Sequence, residues 1–405
     1  MHCQLLNSIH DIPACDWNRL FATPSDSENS RGALPYPFLT HAFLAALEDS
    51  GCTQTETGWT PKHLLVFDDA TMDNSGNSKP IAAMPLYLKQ HSYGEYVFDW
   101  AWADAYHRNG IDYYPKLLSA VPFTPATGPR LAIDNHLQSE DSRQQQVIHT
   151  VGEFLVGYCR EHDLSGWHQL FLPEQQTAHW RDADSLTRTG CQFHWINRGY
   201  QGFDEFLQSF NSRKRKSVRK ERRQVAEQGV TLSRLVGEEI TKDDWDRFYH
   251  FYHTTYLKRS GNTGYLNREF FEAIGRDLGD QILMVKADLD GEGTVACALC
   301  FFDDTHLYGR YWGCRIEVPG LHFEACYYQG IEFAIERGLK RFDPGAQGEH
   351  KIQRGFEPTL TYSQHWLADD RFHTAVDNFL TQETPGVEAY QADCKTYLPF
   401  KQSDN

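Results

Sequence analysis

Apolar positions along the chain switch between a two-residue and a 3.6-residue period, which predicts a mixture of short strands and amphipathic helices. In the first half, Cys3 to Ile9 alternates weakly. Asp16 to Phe21 is a short helical turn, and Ser25 to Arg31 is polar loop. Pro37 to Leu47 carries Phe38, Phe43, Leu44 and Leu47 on one side of a helix closed by Gly51. His63 to Phe67 and Pro80 to Leu88 read as strands around Asp68 to Ser78, a loop of Asp, Asn, Ser and Gly. Glu95 to Tyr106 reads as a long strand, with Phe98, Trp100, Trp102, Asp104 and Tyr106 on one face. Gln144 to His162 has helical spacing, and His168 to Leu172 and Cys191 to Arg198 are strands.

The second half repeats that order. Val230 to Val236 is a strand, Asp244 to Lys258 and Asn267 to Leu278 are helices, and Gln281 to Asp288 and Thr294 to Phe302 are strands. His306 to Tyr311 alternates and is aromatic. After the Pro319-Gly320 turn, Phe323, Tyr327, Ile331, Ala334 and Ile335 recur at helical spacing, and Arg337-Gly338 ends that helix. Leu339 to Phe342 is a short strand, followed by the polar loop PGAQGEHK. Thr361 to Ala368 is a strand, and Arg371 to Leu380 a helix. The repeated order predicts an α+β protein with a mixed sheet in each of two lobes, residues 1–198 and 199–405.

Composition narrows the function. The chain has 405 residues and 40% apolar residues, enough for a large core. The longest apolar run, Val295 to Phe302, is far too short to span a bilayer, so no membrane insertion is expected. The start of the chain shows no basic stretch followed by an apolar core, so no signal peptide is read there. Scattered cysteines fit a reducing cytoplasm, the expected location. Cys297 and Cys300 face opposite sides of a strand and read as core. His322, Glu324 and His350 match no standard metal spacing, so no metal is expected. Net charge is −16, yet Arg213 to Arg223 holds eight basic residues and one acid, leaving −23 on the rest. This stretch, the start of a basic helix at 213–228, reads either as a solvated face or as a grip on a polyanion such as a diphosphate or RNA. No duplex-DNA motif surrounds it.

At this point the sequence resembles a known family. YWGC (311–314), the long segment from Leu321 to Phe356, EYVFDWAWADAY (95–106) and FTPATGPRL (123–131) are similar to the FemAB-like family of predicted N-acyltransferases, of peptidoglycan biosynthesis or recognition type. SVRKERRQVAEQGV (217–230) and the late KIQRGF resemble, more loosely, the Fem aminoacyltransferases. The element order is that of the GNAT (N-acetyltransferase) fold, used twice. The resemblance implies an acyl or aminoacyl transfer to an amine acceptor, possible donors being acyl-CoA or aminoacyl-tRNA and none of them tightly bound. A small-molecule donor and acceptor are the expected partners, with tRNA as a further one. It also leaves open a module that kept the fold, lost the chemistry and recognises cell-wall precursors or another anionic ligand.

The GNAT layout implies that a donor's pantetheine arm lies along Tyr308 to Cys314 and its pyrophosphate at Gly320 to Glu324. The sequence there departs from the usual glycine-spaced pyrophosphate loop. Arg315 could meet a pyrophosphate, while Glu324 in the first turn disfavours an anion. Proton-transfer candidates are Glu349, His350 and Asp343; a histidine works near neutral pH without large tuning. Tyr311, Arg315, Gln347, Lys351 and Arg354 are donor- or anion-binding candidates. Trp100, Trp102, Asp104 and Tyr106 are candidates for an acceptor pocket, since aromatic faces beside a carboxylate suit a sugar or an ammonium group.

Overall fold

The computed structural model describes residues 1–22, 34–71, 78–138, 141–346 and 348–401. The predicted loop at Ser25 to Arg31, most of the Asp68 to Ser78 loop and Gln347 lie outside the described residues. The chain divides into two compact units. One comprises Met1–Arg31, Phe38–Gly190 and Leu360–Ala389; the other comprises Gly32–Pro37, Cys191–Thr359 and Tyr390–Asn405. The chain passes over within the Leu186–Ile196 strand and returns within the Glu357–Leu367 strand. Gly190 and Pro358 lie at these two crossings, but each sits inside a continuous strand and not in a polar linker, so pattern alone points to no break at either place.

In the first unit, His2–Leu6, His63–Phe67, Pro80–Met84 and Ala132–Ile133 form one antiparallel sheet. A second set runs Trp59–Pro61, Tyr87–Lys89, Lys116–Ser119, Gly166–Leu172, and then the Tyr362 to Leu367 part of the Glu357–Leu367 strand. Lys116–Ser119 and Gly166–Leu172 are parallel, and the Asp141–Glu161 helix is the crossover between them. That helix buries Val147, Val151 and Leu155 against Leu64, Leu117 and Trp167.

The expected strand at Glu95 to Tyr106 is instead a loop and a helix, Trp100–Arg108. Aromatic residues at every second position suggested a strand, but Ala101, Ala103 and Ala105 between them are the strongest helix formers. The helix separates residues that a strand would have aligned. Trp102 and Tyr106, one turn apart, are buried with Tyr113, Val376 and Leu380, whereas Trp100 and Asp104 share the exposed side.

In the second unit, Val230–Val236, Ile282–Leu289, Gly293–Phe302 and His306–Cys314 form an antiparallel meander. Arg341–Asp343 then pairs parallel to the last of these and antiparallel to the end of Leu186–Ile196. Helical residues 321–336 cross between the two parallel strands. The Lys242–Ser260 helix lies so close on His306–Cys314 that a Cβ at Gly313 would sit 2.3 Å from the Phe251 carbonyl carbon. Only glycine allows that approach. Two further elements differ from expectation: Glu349–Arg354, read as loop, is a 3-10 turn, and the last helix runs Asp370–Thr396 with Pro385 inside it.

Candidate active site

The site is built where two parallel strands part. His306–Cys314 pairs with Arg341–Asp343 only through His306, Leu307 and Tyr308. Beyond Tyr308 the first strand carries a bulge: Leu299 faces Tyr311 and Cys300 faces Gly309, leaving Arg310 as the extra residue. A bulge takes one residue out of the ladder and re-aims its side chain. A Cβ at Gly309 would meet Pro344 at 3.3 Å, so the missing side chain lets the Pro344 loop close down on the bulge. A cavity of about 100 Å³ lies there, with Arg310, Trp312, His322, Cys326, Tyr327 and Pro344 in its lining.

The helix crossing back from this opening is not uniformly α. Leu321–Phe323 is α, Glu324–Tyr328 is a π turn, and Gln329–Glu336 is α again. Single π turns recur at functional sites, and here the turn carries Cys326 and Tyr327 to the cavity. Glu324 at the helix start does not confront an approaching anion as an open charge. Arg222 binds it through Nε at 3.0 Å and Nη2 at 2.8 Å, and binds Glu332 through Nη1 at 2.6 Å.

Asp343 ends the short strand and is buried against Arg310, Nη2 to Oδ2 2.8 Å. The Gly345 amide donates to its other oxygen at 2.9 Å. Burial alone would raise this carboxyl, but the Arg310 and His194 charges and these hydrogen bonds hold it down at about 2. Asp343 is therefore a fixed anion that anchors the bulge and the following loop, not a group poised to exchange protons near neutrality. Its stabilising effect is present above the unfolded carboxyl value of about 4 and is lost as pH falls toward 2. Asp343→Asn is expected to lower the melting temperature and to flatten its fall across that window. An unchanged acid limb in the variant's pH–melting curve would contradict this.

Tyr327 lines the cavity, and its hydroxyl meets His350 behind it, Nε2 to OH 2.9 Å. Burial first, then Arg354 and Lys351, lower the His350 pKa, so the ring stays neutral at neutral pH and able to accept a proton. Gly348 has φ 111°, and a Cβ there would fall 2.2 Å from the His350 ring, so glycine permits the ring's placement. Burial keeps the Tyr327 hydroxyl protonated.

The remaining candidates take separate places. Lys351 is buried and donates to the Gly345 carbonyl at 2.6 Å, clamping the loop from beneath; burial lowers it to about 8. Arg354 lies over the Phe323 ring at 3.6 Å and donates to the His350 carbonyl at 2.7 Å and to Glu221 at 3.0 Å. Glu349 is exposed and accepts from the Tyr390 hydroxyl at 2.7 Å. Tyr311 is buried, packs against Tyr252 and Phe271, and lines the cavity. Arg315 lies beyond the end of its strand, paired with Glu292 at 3.0 Å, and does not line the cavity. Trp100, Trp102, Asp104 and Tyr106 belong to the first unit, split between two sides of one helix as described. Burial pushes the Cys326 thiol well above its usual range, so it is no ready nucleophile. No cluster of metal-ligating residues occurs among the described residues.

A family model for peptidoglycan biosynthesis/recognition, FemAB-like, matches residues 8–402. The chain belongs to the FemAB-like family. Among solved structures, FemX is 11% identical, with a TM-score of 0.51, and covers 93% of this chain and 100% of that one. The C-terminal domain of an Agrobacterium fabrum protein assigned as a lysylphosphatidylglycerol synthetase is 11% identical, TM-score 0.50, covering 84% and 91%. A tandem GNAT protein from the clavulanic acid biosynthesis pathway is 11% identical, TM-score 0.45, covering 91% and 98%. No curated protein matches the chain significantly. The fold is α+β with mixed sheets, as the element order predicted, and is shared with FemX. No helix among the described residues is long and apolar enough to cross a membrane.

In this FemAB-like chain, sequence reasoning reached the loop residues and missed their supports. Arg310 was overlooked, although one arginine inside an aromatic strand, Leu307 to Trp312, is itself a signal of a buried ion pair. His194, buried 3.8 Å from Asp343, had the same kind of signal, a histidine between Phe193 and Trp195. Nothing in the pattern marks a π turn, so Tyr327 read only as a core aromatic.

Proposed function

We propose that the second unit is an N-acyltransferase site, moving an acyl or aminoacyl group to an amine of a peptidoglycan-precursor type acceptor. The observation that carries this reading is the cavity-lining Tyr327 hydroxyl, hydrogen-bonded to a neutral His350, beside the bulged, parting strands. The donor is of the acyl-CoA or aminoacyl-tRNA class. Its carbonyl enters beside the bulge, and the cavity's size suits a short acyl group. The amine nitrogen attacks the carbonyl carbon directly, because with both substrates bound no enzyme-linked intermediate is required. The amine passes a proton to the Tyr327 oxygen as the tyrosine passes its own to His350 Nε2. As the tetrahedral species collapses, the C–S or C–O bond breaks and the departing thiolate or alkoxide takes that proton back. The N–C bond that remains is the amide.

This assignment sets a pH profile. The free base of His350 is the active form, and its pKa is lowered from the ordinary imidazole value of about 6.5. Turnover is expected to fall on acidification only below that value. His350→Gln is expected to remove the acid limb along with most activity. A limb unchanged in the variant would assign it to another group.

One observation favours the alternative, a recognition module without turnover. The helix start at Gly320 lacks a glycine-spaced loop for a pyrophosphate, and Arg315 is occupied by Glu292. An aminoacyl ester donor needs no such loop, so the transferase reading survives this feature.

A further inference from the structure

The Ser212–Glu227 helix carries a charge pattern that works against its own stability. Its first turn has no acid and begins Arg213, Lys214, Arg215, although cations near a helix N-terminus oppose the macrodipole. Arg215 and Arg219, Lys216 and Lys220, and Arg219 and Arg223 are like charges one turn apart, each pair destabilising. Packing does not explain them. The helix is held to the core by Val218, Val225 and the Arg222 pairs, while Arg213, Lys216, Arg219, Lys220 and Arg223 are exposed. Arg219 meets Asp204, and Arg223 meets Glu227. Among the described residues no carboxylate pairs with Arg213, Lys214, Arg215, Lys216 or Lys220.

We propose that this exposed face is an electrostatic docking surface for an anionic phospholipid bilayer, an inference independent of the transferase reading. Arg213, Lys216, Lys220 and Arg223 recur at three- and four-residue intervals, a row about 15 Å long on one side of a straight helix. A row on a convex helix makes a tangent contact, which a plane of headgroups meets along its full length. The −23 carried by the rest of the chain repels any polyanion that wraps further around it, and also turns this one row toward an anionic plane. The exposed side contains no aromatic residue on which a nucleic-acid base could stack. It contains no large apolar residue that could enter the acyl region either, so the contact is reversible and salt-sensitive.

The test is sedimentation of the full chain with vesicles of phosphatidylcholine, alone or mixed equally with phosphatidylglycerol, at low and physiological salt. Binding is expected to the mixed vesicles only and to weaken with salt. Combining Arg213→Gln, Lys216→Gln, Lys220→Gln and Arg223→Gln is expected to lower it roughly fivefold per cation, several-hundred-fold together, with the melting temperature retained. Equal binding to both vesicle types, unchanged binding of the variant, or tighter retention by bulk transfer RNA at matched ionic strength would each overturn the proposal.

Discussion

His350→Ala is expected to lower turnover by about 10²–10⁴-fold, the usual range for removing a general base, while leaving the melting temperature near that of the parent chain. The ring is solvent-facing on one side and contributes to no core cluster, so its loss does not open a cavity in the fold. Tyr327→Phe keeps the aromatic contacts with Phe323 and Phe356 and deletes only the hydroxyl that meets His350. If proton transfer passes through that hydroxyl, the two single variants and the double variant lose activity to similar extents, because each breaks one relay. Additive losses would mean that tyrosine and histidine act separately. Glu349→Gln supplies the contrast: its carboxylate is tied to Tyr390 rather than to the cavity, and near-parent turnover is expected.

Lys116→Met is expected to destabilise the protein by about 3–5 kcal/mol, the usual cost of removing one partner from a buried ion pair. Lys116 is fully buried in the first unit, 2.5 Å from Asp99 and 2.9 Å from Glu95. Asp99 is held well below the carboxylate range; burial would raise it, but Lys116 outweighs burial. At Glu95 burial prevails and pushes the carboxyl up to about 7. Removing the ammonium thus strands at least the Asp99 charge in the interior, where the Tyr113 hydroxyl remains as a donor at 2.7 Å. Adding Asp99→Asn and Glu95→Gln to Lys116→Met is expected to restore much of the loss in a urea titration. A triple variant no more stable than the single one would attribute the effect to packing around the lysine stem.

Much of this architecture was legible because burial leaves a period in the sequence. The segment from His306 to Phe342 was read as strand, turn, helix and strand, since its apolar residues follow those periods and Gly338 closes the helix. The Pro344 to Lys351 region reads in sequence as polar chain without packing use; His350 reaches the cavity's tyrosine, but Lys351 is buried and holds the loop through the Gly345 carbonyl. What escaped was set by tertiary contact. The bulge at Arg310 is a one-residue shift in the register between two strands, and the π turn at Glu324–Tyr328 is a one-residue adjustment in an otherwise ordinary helix. Trp100 to Tyr106 shows the opposite failure, where a clear two-residue period lost to local helix propensity and to burial of Trp102 and Tyr106 on a single side.

The central claim is that this chain forms an amide bond, and product detection tests it most directly. The full chain would be incubated with a peptidoglycan-precursor peptide bearing a free side-chain amine, together with short-chain acyl-CoAs or a mixture of aminoacyl-tRNAs, and the peptide then weighed by mass spectrometry. The account predicts a mass gain equal to one acyl or aminoacyl group, located on the amine and absent with His350→Ala. Saturable binding of the precursor, with the peptide mass unchanged across every donor, would contradict the transferase and establish a recognition module in its place.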